Sequence, residues 1–251
     1  MTGTETIEYL CSMPLDSIRL ITFDCYGTLI DWEAGMLRSL RPLFSRAERS
    51  ISDAEILEQY GEAEAELESG PYLRYRDVLA QAARRLGQEL RIEISEQDAR
   101  RFAGSLTEWE PFPDTVAALA ALSKKFKLGI ISNVDDDLFA SSQPKLHAPF
   151  EVLVTAEQVR SYKPSLQNFE EVLRRTGIAK QQWLHAGQSI YHDVVPATQI
   201  AIESVWVNRP SVRPGVGAVR KATAQATYQV SSVGELARLL GAASHPHQAA
   251  I

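Results

Sequence analysis

The chain has 251 residues, and its 26 basic and 32 acidic side chains leave a formal net charge of −6. With 45% hydrophobic and 23% charged residues the composition is that of an ordinary globular protein. It excludes wholesale disorder and gives no electrostatic reason to expect a nucleic acid or an anionic membrane as partner. Two cysteines, Cys11 and Cys25, cannot build a disulfide scaffold, so a reducing, cytoplasmic setting is the simplest expectation. Met1 to Thr6 lack the basic and apolar stretches of a secretory leader, and no apolar run is long enough for a membrane span.

In chain order, the first apolar run is Ile18 to Phe23, short and rich in residues that favour strands, and it ends on Asp24. The region from Glu33 to Glu110 then changes texture. It reads as helical throughout, with capping boxes at Ser52/Glu55 and Ser95/Asp98 and a break at Gly70-Pro71. A crossover between parallel strands needs only about a dozen residues, so this stretch is expected to be an inserted helical domain, closed by Pro111-Phe112-Pro113. Asp114 is expected to cap the helix that follows, marked by Val116, Leu119, Leu122 and Phe126. Four further buried strands are expected at Lys127 to Ile131, Glu151 to Val154, Trp183 to Ala186 and Ser204 to Val207. A helix from Ser165 to Thr176 should stop at Gly177, and another should start at Ser232/Glu235. Strands alternating with helices imply an α/β fold with a doubly wound, Rossmann-like parallel sheet. The expected boundaries are 14–32 and 111–241 for the core, 33–110 for the helical cap, and 1–13 and 242–251 for flexible tails.

Polar residues follow the strands. Asp24 ends the first, Ser132 and Asn133 the second, a loop after the third carries Lys163, and the fourth leads into Gln188, Ser189 and Asp193. Ligands of open α/β sheets bind outside the carboxyl ends of the strands, so an acid, a hydroxyl and amide, a cation and a second acid should converge on one rim. A carboxylate such as Asp24 at a tight turn can attack an electrophilic carbon or phosphorus and form an ester. Lys163 is the natural counter-ion, expected to lower the Asp24 pKa, and Thr28, Ser132 and Asn133 offer donors for an anionic substrate group. Asp193 would activate water or hold the groups that position it.

Phe23-Asp24-Cys25-Tyr26-Gly27-Thr28-Leu29, Ile130-Ile131-Ser132-Asn133, Tyr162-Lys163-Pro164 and His185-Ala186-Gly187-Gln188-Ser189-Ile190-Tyr191-His192-Asp193 resemble, in this order, the four motifs of the haloacid dehalogenase (HAD) superfamily of hydrolases. The match spans nearly the whole chain, and a helical cap between the first two motifs resembles the branch of the L-2-haloacid dehalogenases. The resemblance implies Asp24, Lys163 and Asp193 as catalytic residues and Tyr26, Thr28, Ser132, Asn133, Gln188 and His192 around a small anionic substrate, with a homodimer as the common assembly. Tyr26 and Gln188 stand where the family's phosphatases carry a general acid and a Mg²⁺ ligand. Since Mg²⁺ needs hard oxygen ligands, this implies metal-independent attack on carbon with no cofactor required. A Mg²⁺-dependent small-molecule phosphatase and a carboxylate-binding module on a degenerate site remain as alternatives.

The sequence also departs from true haloacid dehalogenases. Gly61, within an acidic stretch, stands where those enzymes present a cap arginine to the halide, and Phe169 where a tyrosine is expected. Arg74 could substitute for the missing arginine. Asp-Cys-Tyr-Gly-Thr-Leu-Ile-Asp-Trp and Gln-Ser-x-Tyr-His-Asp are similar to a dehalogenase-like branch that includes a hydrolase opening the ring of azetidine-2-carboxylate. For such a leaving amine His192, titrating near neutrality, is the titratable candidate, a capping or core histidine beside Asp193 being the favoured alternative. The acidic run Glu62 to Glu66 reads as a solvated helix face, Cys25 as buried core, and Trp32 and Tyr72 as packing residues that could reach the pocket.

Overall fold

The computed structural model describes residues 15–44 and 50–243. Six parallel strands form one sheet: β1 (Leu20–Phe23), β2 (Lys127–Ser132), β3 (Val152–Thr155), β4 (Trp183–Gly187), β5 (Glu203–Val207) and β6 (Tyr228–Val230), in the order β3-β2-β1-β4-β5-β6. The five strands expected from sequence are present. The sixth, a three-residue edge strand, pairs with β5 and carries too little pattern to be seen in sequence.

Ten α-helices complete the described fold: α1 (Trp32–Phe44), α2 (Asp53–Glu68), α3 (Tyr75–Glu89), α4 (Glu96–Gly104), α5 (Thr115–Leu122), α6 (Asp136–Leu146), α7 (Ala156–Val159), α8 (Gln167–Thr176), α9 (Val195–Gln199) and α10 (Val233–Leu239). Helices α1 to α4 occupy the connection between β1 and β2. Ser52 and Ser95 cap α2 and α4 by accepting from the amides of Glu55 and Asp98. Asp114 departs from expectation: its carboxylate does not cap α5 but accepts from Gly234 N of α10 at 2.9 Å and from Arg209 Nη1 at 2.6 Å. Residues 1–13 and most of 242–251, expected as tails, lie outside the described residues, as does Cys11. Ala242 and Ala243 donate their amides to Ala237 O and pack on the core.

Strand periodicity divides the core. Ile21 and Phe23 of β1 face a large cluster that continues through α1 to α4, whereas Leu20 packs with Val154, Phe169, Val172 and Trp183 on the opposite face. The β1–β4 boundary is where the connections reverse direction along the sheet, and in open α/β sheets a ligand crevice opens there. No helix among the described residues is long and apolar enough to cross a membrane.

Candidate active site

Asp24 leaves the end of β1 beside that reversal, and Asp193 lies in a π-helical turn, Ile190–Val194, just beyond β4. Such turns are rare and recur at functional positions. Here Ser189 Oγ accepts from His192 N at 2.9 Å, and Asp193 Oδ2 accepts from Ser189 N at 3.1 Å. Gly187 makes the approach feasible, because a Cβ there would lie 2.3 Å from Asp193 Cγ.

Lys163, 2% exposed, joins the two acids. Its Nζ donates to Asp24 Oδ1 at 2.8 Å, Asp193 Oδ1 at 2.7 Å and Ile131 O at 2.9 Å, so the three ammonium protons are all committed. Asp24 Oδ2 accepts from Thr28 Oγ1 at 2.7 Å, and Thr28 Oγ1 in turn accepts from Gln188 N at 2.9 Å. Both Asp24 oxygens therefore act as acceptors, the arrangement of an ionised carboxylate. Thr28 is fully buried and spent on Asp24, so it positions the acid and is not a substrate donor as expected from sequence.

The electrostatics differ from the sequence expectation in one respect. Burial, reinforced by Asp193, raises Asp24 above its ordinary range even though Lys163 and Thr28 pull it down. Burial also works to raise Asp193, but the Lys163 ammonium and the His185 hydrogen bond hold it well below the usual carboxylate range. Lys163 stays raised because its two acids outweigh the cost of burying its charge. Cys25 is fully buried, and burial pushes its thiol well up, in keeping with an inert core position.

Behind Asp193 lies a chain of hydrogen bonds that was not read from sequence. Trp183 Nε1 donates to Thr22 Oγ1 at 2.8 Å, and Thr22 Oγ1 is 2.8 Å from His185 Nδ1. The ionised Asp193 carboxylate can only accept, so His185 donates its Nε2–H to Oδ1 at 3.2 Å, and in the neutral ring Nδ1 is left to accept from the Thr22 hydroxyl. Phe169, in place of the expected tyrosine, lies edge-on to this imidazole with centroids 5.0 Å apart.

A cavity of about 400 Å³, mouth included, opens over Asp24. Tyr26, Ser132, Asn133, Lys163, Gln188, His192 and Asp193 line it, as does Trp32, while Tyr72 stacks on Tyr162 outside it. Tyr26 contributes ring surface, its hydroxyl being engaged with Ser142 Oγ at 2.9 Å. Asn133 bridges Glu68 and the Lys163 backbone, and Gln188 Nε2 donates to Val216 O at 3.1 Å. Ser132 Oγ is buried without a hydrogen-bond partner. Burial lowers His192 to about 4, so it is neutral at neutral pH and not a proton donor for a leaving amine.

The cap side overturns two further expectations. Arg74 is nearly half exposed and pairs with Asp135, Asp137 and Glu157, away from the cavity. The acidic run is only half solvated: Glu62 and Glu66 are exposed, whereas Glu64 is 4% exposed and lines the cavity together with Glu68 and Tyr75. Glu64 Oε1 accepts from Tyr75 Oη at 2.9 Å and Tyr60 Oη at 3.1 Å. Glu68 accepts from Asn133 Nδ2 at 3.2 Å and lies 3.5 Å from His192 Nε2. Burial raises Glu64 to about 7 and, with Glu64 beside it, raises Glu68 well above its ordinary value. The signal for these acids was available in the sequence: Leu57, Tyr60, Gly61, Glu64 and Glu68 recur at spacings of three and four and share one face of α2.

The donor set does not suit a divalent ion. Among the described residues no group of three His, Cys, Asp or Glu side chains is placed to hold one. The Asp24 and Asp193 oxygens are taken up by Lys163, Thr28, His185 and Ser189 N, and the neighbouring Gln188 amide is turned to Val216.

Comparison with protein families matches residues 18–200 to the haloacid dehalogenase-like hydrolases. Haloacetate dehalogenase H-2 of Moraxella sp. (strain B) is 24% identical over 198 residues, 78% of this chain and 88% of that protein. A glyceraldehyde 3-phosphate phosphatase of Methanothermobacter thermautotrophicus is 34% identical over 104 residues, 39% of this chain and 45% of that one. The L-2-haloacid dehalogenase from Xanthobacter autotrophicus, solved with chloropropionic acid covalently bound, superposes with a TM-score of 0.74 at 19% identity, covering 89% of this chain and 98% of its own. At that identity the likeness speaks for the fold.

Proposed function

The chain belongs to the haloacid dehalogenase-like hydrolases, and from that premise we propose that it hydrolyses a small 2-substituted carboxylic acid through attack of Asp24 on carbon, without a metal ion. The observation that carries this reading is the shared ammonium. Lys163 binds Asp24 and Asp193 together while Thr28 turns its proton to Asp24, which leaves a fixed carboxylate facing a small cavity. Holding a nucleophile in one orientation removes much of the entropic barrier to attack. Relatives named haloacetate and (S)-2-haloacid dehalogenases support attack on carbon.

In the first step an Asp24 oxygen bonds to the substrate carbon, and the bond to the leaving group breaks with its electron pair on the halide or ring nitrogen. In the second step water adds to the Asp24 ester carbonyl. The hydroxy acid departs with the original Asp24 oxygen, and the carboxylate is restored with one oxygen from water. Asp193, held well below the carboxylate range, is a weak base. It fits better as the group that fixes Lys163 and Ser189 around the ester than as the proton acceptor.

The test is incubation with 2-chloropropionate and azetidine-2-carboxylate in EDTA, with Asp24→Asn as control. Turnover of one of them by the wild type and none by the variant is expected. No turnover of either, or full activity in the variant, contradicts the proposal. Hydrolysis of p-nitrophenyl phosphate that requires Mg²⁺ would move the assignment to a phosphatase, a reading that Tyr26 and Gln188 do not support.

A further inference from the structure

Hydrolysis of an Asp24 ester needs a group that takes a proton from the attacking water, and the cavity wall holds few acceptors for it. Asp193 Oδ1 is occupied by Lys163 and His185 and its Oδ2 by Ser189 N, and its depressed pKa makes it a weak base. His192 is lowered to about 4, and Tyr26 and Tyr75 have their hydroxyls engaged with Ser142 and Glu64. Two carboxylates are left, Glu64 and Glu68, one turn apart on the same face of α2. Glu64 is held on the cap side by Tyr60 and Tyr75. Glu68 instead reaches the rim formed by the strand ends. Asn133, which follows β2, donates to it at 3.2 Å, and His192 Nε2, in the turn after β4, lies 3.5 Å away. It is also near enough to Lys163 and Asp24 for both charges to bear on it. Two polar atoms of the same wall, Oγ of Ser132 (1% exposed) and Nε2 of His192, are buried without a hydrogen-bond partner and are open to a ligand.

We propose that Glu68 is the general base of the second half-reaction, taking the proton from the water that hydrolyses the Asp24 ester, and that Glu64 tunes it by like charge. The inference deepens the covalent reading above and rests on it. The water oxygen bonds to the Asp24 carbonyl carbon while its proton passes to Glu68. The ester C–O bond then breaks with its electron pair on the departing alkoxide, which takes the proton back from Glu68. The proton left on the Asp24 carboxyl is released to solvent, so Asp24 and Glu68 both return to the ionised state. The groups that face Glu68 are Glu64 and Tyr60 on α2, Tyr75 on α3, Asp24 after β1, Tyr162 and Lys163 before α8, and His192 with Asp193 after β4, with Arg220 behind His192. The three tyrosines and Lys163 are raised away from neutrality, and Asp193 and His192 are lowered away from it. Asp24 carries no charge once esterified. Glu64, at about 7, and Glu68, which burial and Glu64 raise well above its ordinary value, are left to titrate the second step. A carboxylate raised in this way is a far better acceptor of a water proton than Asp193.

The test is rapid mixing of Glu68→Gln with whichever of 2-chloropropionate and azetidine-2-carboxylate the wild type hydrolyses, read by mass spectrometry of the Asp24 peptide and by steady-state kinetics. The ester should form and accumulate on Asp24. The value of kcat should fall by roughly a hundred- to ten-thousandfold, the contribution of a general base, while kcat/KM, set by ester formation, stays nearly level. A glutamate with a structural role alone would lower both together. In the wild type, decay of the ester in a single turnover should quicken by about tenfold per pH unit between about pH 5 and 7. Glu64→Gln, which removes the like charge, should move that limb to lower pH. An ester that decays at the wild-type rate in Glu68→Gln overturns the inference and leaves the covalent reading standing. A wild-type decay that is flat over the same pH range does so too, even if the glutamine variants fail to fold. Turnover with no ester on Asp24 in either form removes the covalent reading itself, and with it the step assigned to Glu68.

Discussion

At the scale of single residues, the Asp193 carboxylate depends on groups that never meet the substrate. The sequence Trp183, Thr22, His185, Asp193 is a one-way run of donors that fixes the imidazole tautomer and directs Nε2–H at Oδ1. His185 is therefore a positioning residue. His185→Leu and Thr22→Val are expected to lower kcat by roughly ten- to a hundredfold, the scale of a misplaced catalytic group, with KM nearly unchanged. His185→Gln, which keeps a donor toward Asp193, should recover part of the loss. A KM effect with kcat intact would contradict this role. Glu64 yields a stability prediction. Buried against Tyr60, Tyr75 and Glu68, with Tyr162 and Lys163 nearby, it titrates at about 7 in the fold against an ordinary value of 4.5. Below 4.5 both folded and unfolded chains hold the proton. Between 4.5 and 7 the unfolded chain loses it first, and above 7 the full destabilisation is present. Glu64→Gln should raise the melting temperature at pH 8 and leave it nearly unchanged at pH 4. An increase of equal size at both pH values would contradict the assignment.

At the scale of elements, α2 sets the character of the pocket. Gly61 lies on the face that carries Glu64, and a Cβ on it would come within 2.5 Å of Ala218 O in the long β5–β6 connection. The same connection supplies Val219 to the cavity wall and Val216 O to Gln188, so it closes the pocket over Gly61. Gly61→Arg should therefore destabilise the protein by about 1–3 kcal/mol, as overpacking does, without creating halide release. Thermal melts and a chloride assay with 2-chloropropionate check both halves, and a stable variant that releases chloride would refute the steric reading. Most of this fold was legible in sequence because β1 to β5 are short apolar runs ended by polar residues, and α2 and α4 announce themselves by their caps. The meeting of Asp24, Lys163 and Asp193 was legible for the same reason, each following a strand. Glu64 and Glu68 were not singled out because charge alone suggested solvent. Their spacing on the apolar face of α2 carried the signal, and the partners that hold them, Tyr75 on Glu64 and Asn133 on Glu68, come from other elements. Thr28 and Asp114 were assigned to the wrong partners on similar grounds, since each has a local role available that tertiary contacts override.

At the scale of the whole molecule, one buried acid ties the helical insert to the sheet. Asp135, fully buried in the loop after β2, accepts from the amides of Tyr75 at 2.8 Å and Arg76 at 3.1 Å, and so caps α3 from across the interface, with Arg74 and Arg76 paired around it. Tyr162 Oη adds a bond to Leu73 O at 2.9 Å, one residue from Lys163. The junction that holds the insert closed is thus continuous with the segment that delivers the ammonium. Asp135→Ala should cost about 1–2 kcal/mol, the range for a lost helix cap, and speed amide exchange in the first turn of α3. Unchanged exchange there would show that the junction is held elsewhere.

The central claim is that Asp24 becomes an ester and is regenerated by water. A single turnover in H₂¹⁸O, with enzyme in excess over whichever of 2-chloropropionate or azetidine-2-carboxylate is hydrolysed, tests it directly by mass spectrometry of the peptide containing Asp24 and of the product. The account predicts one ¹⁸O in the Asp24 carboxylate and none in the product hydroxyl. Label in the product with an unlabelled Asp24 would mean that water attacks the substrate itself, and the nucleophile assigned here would be wrong.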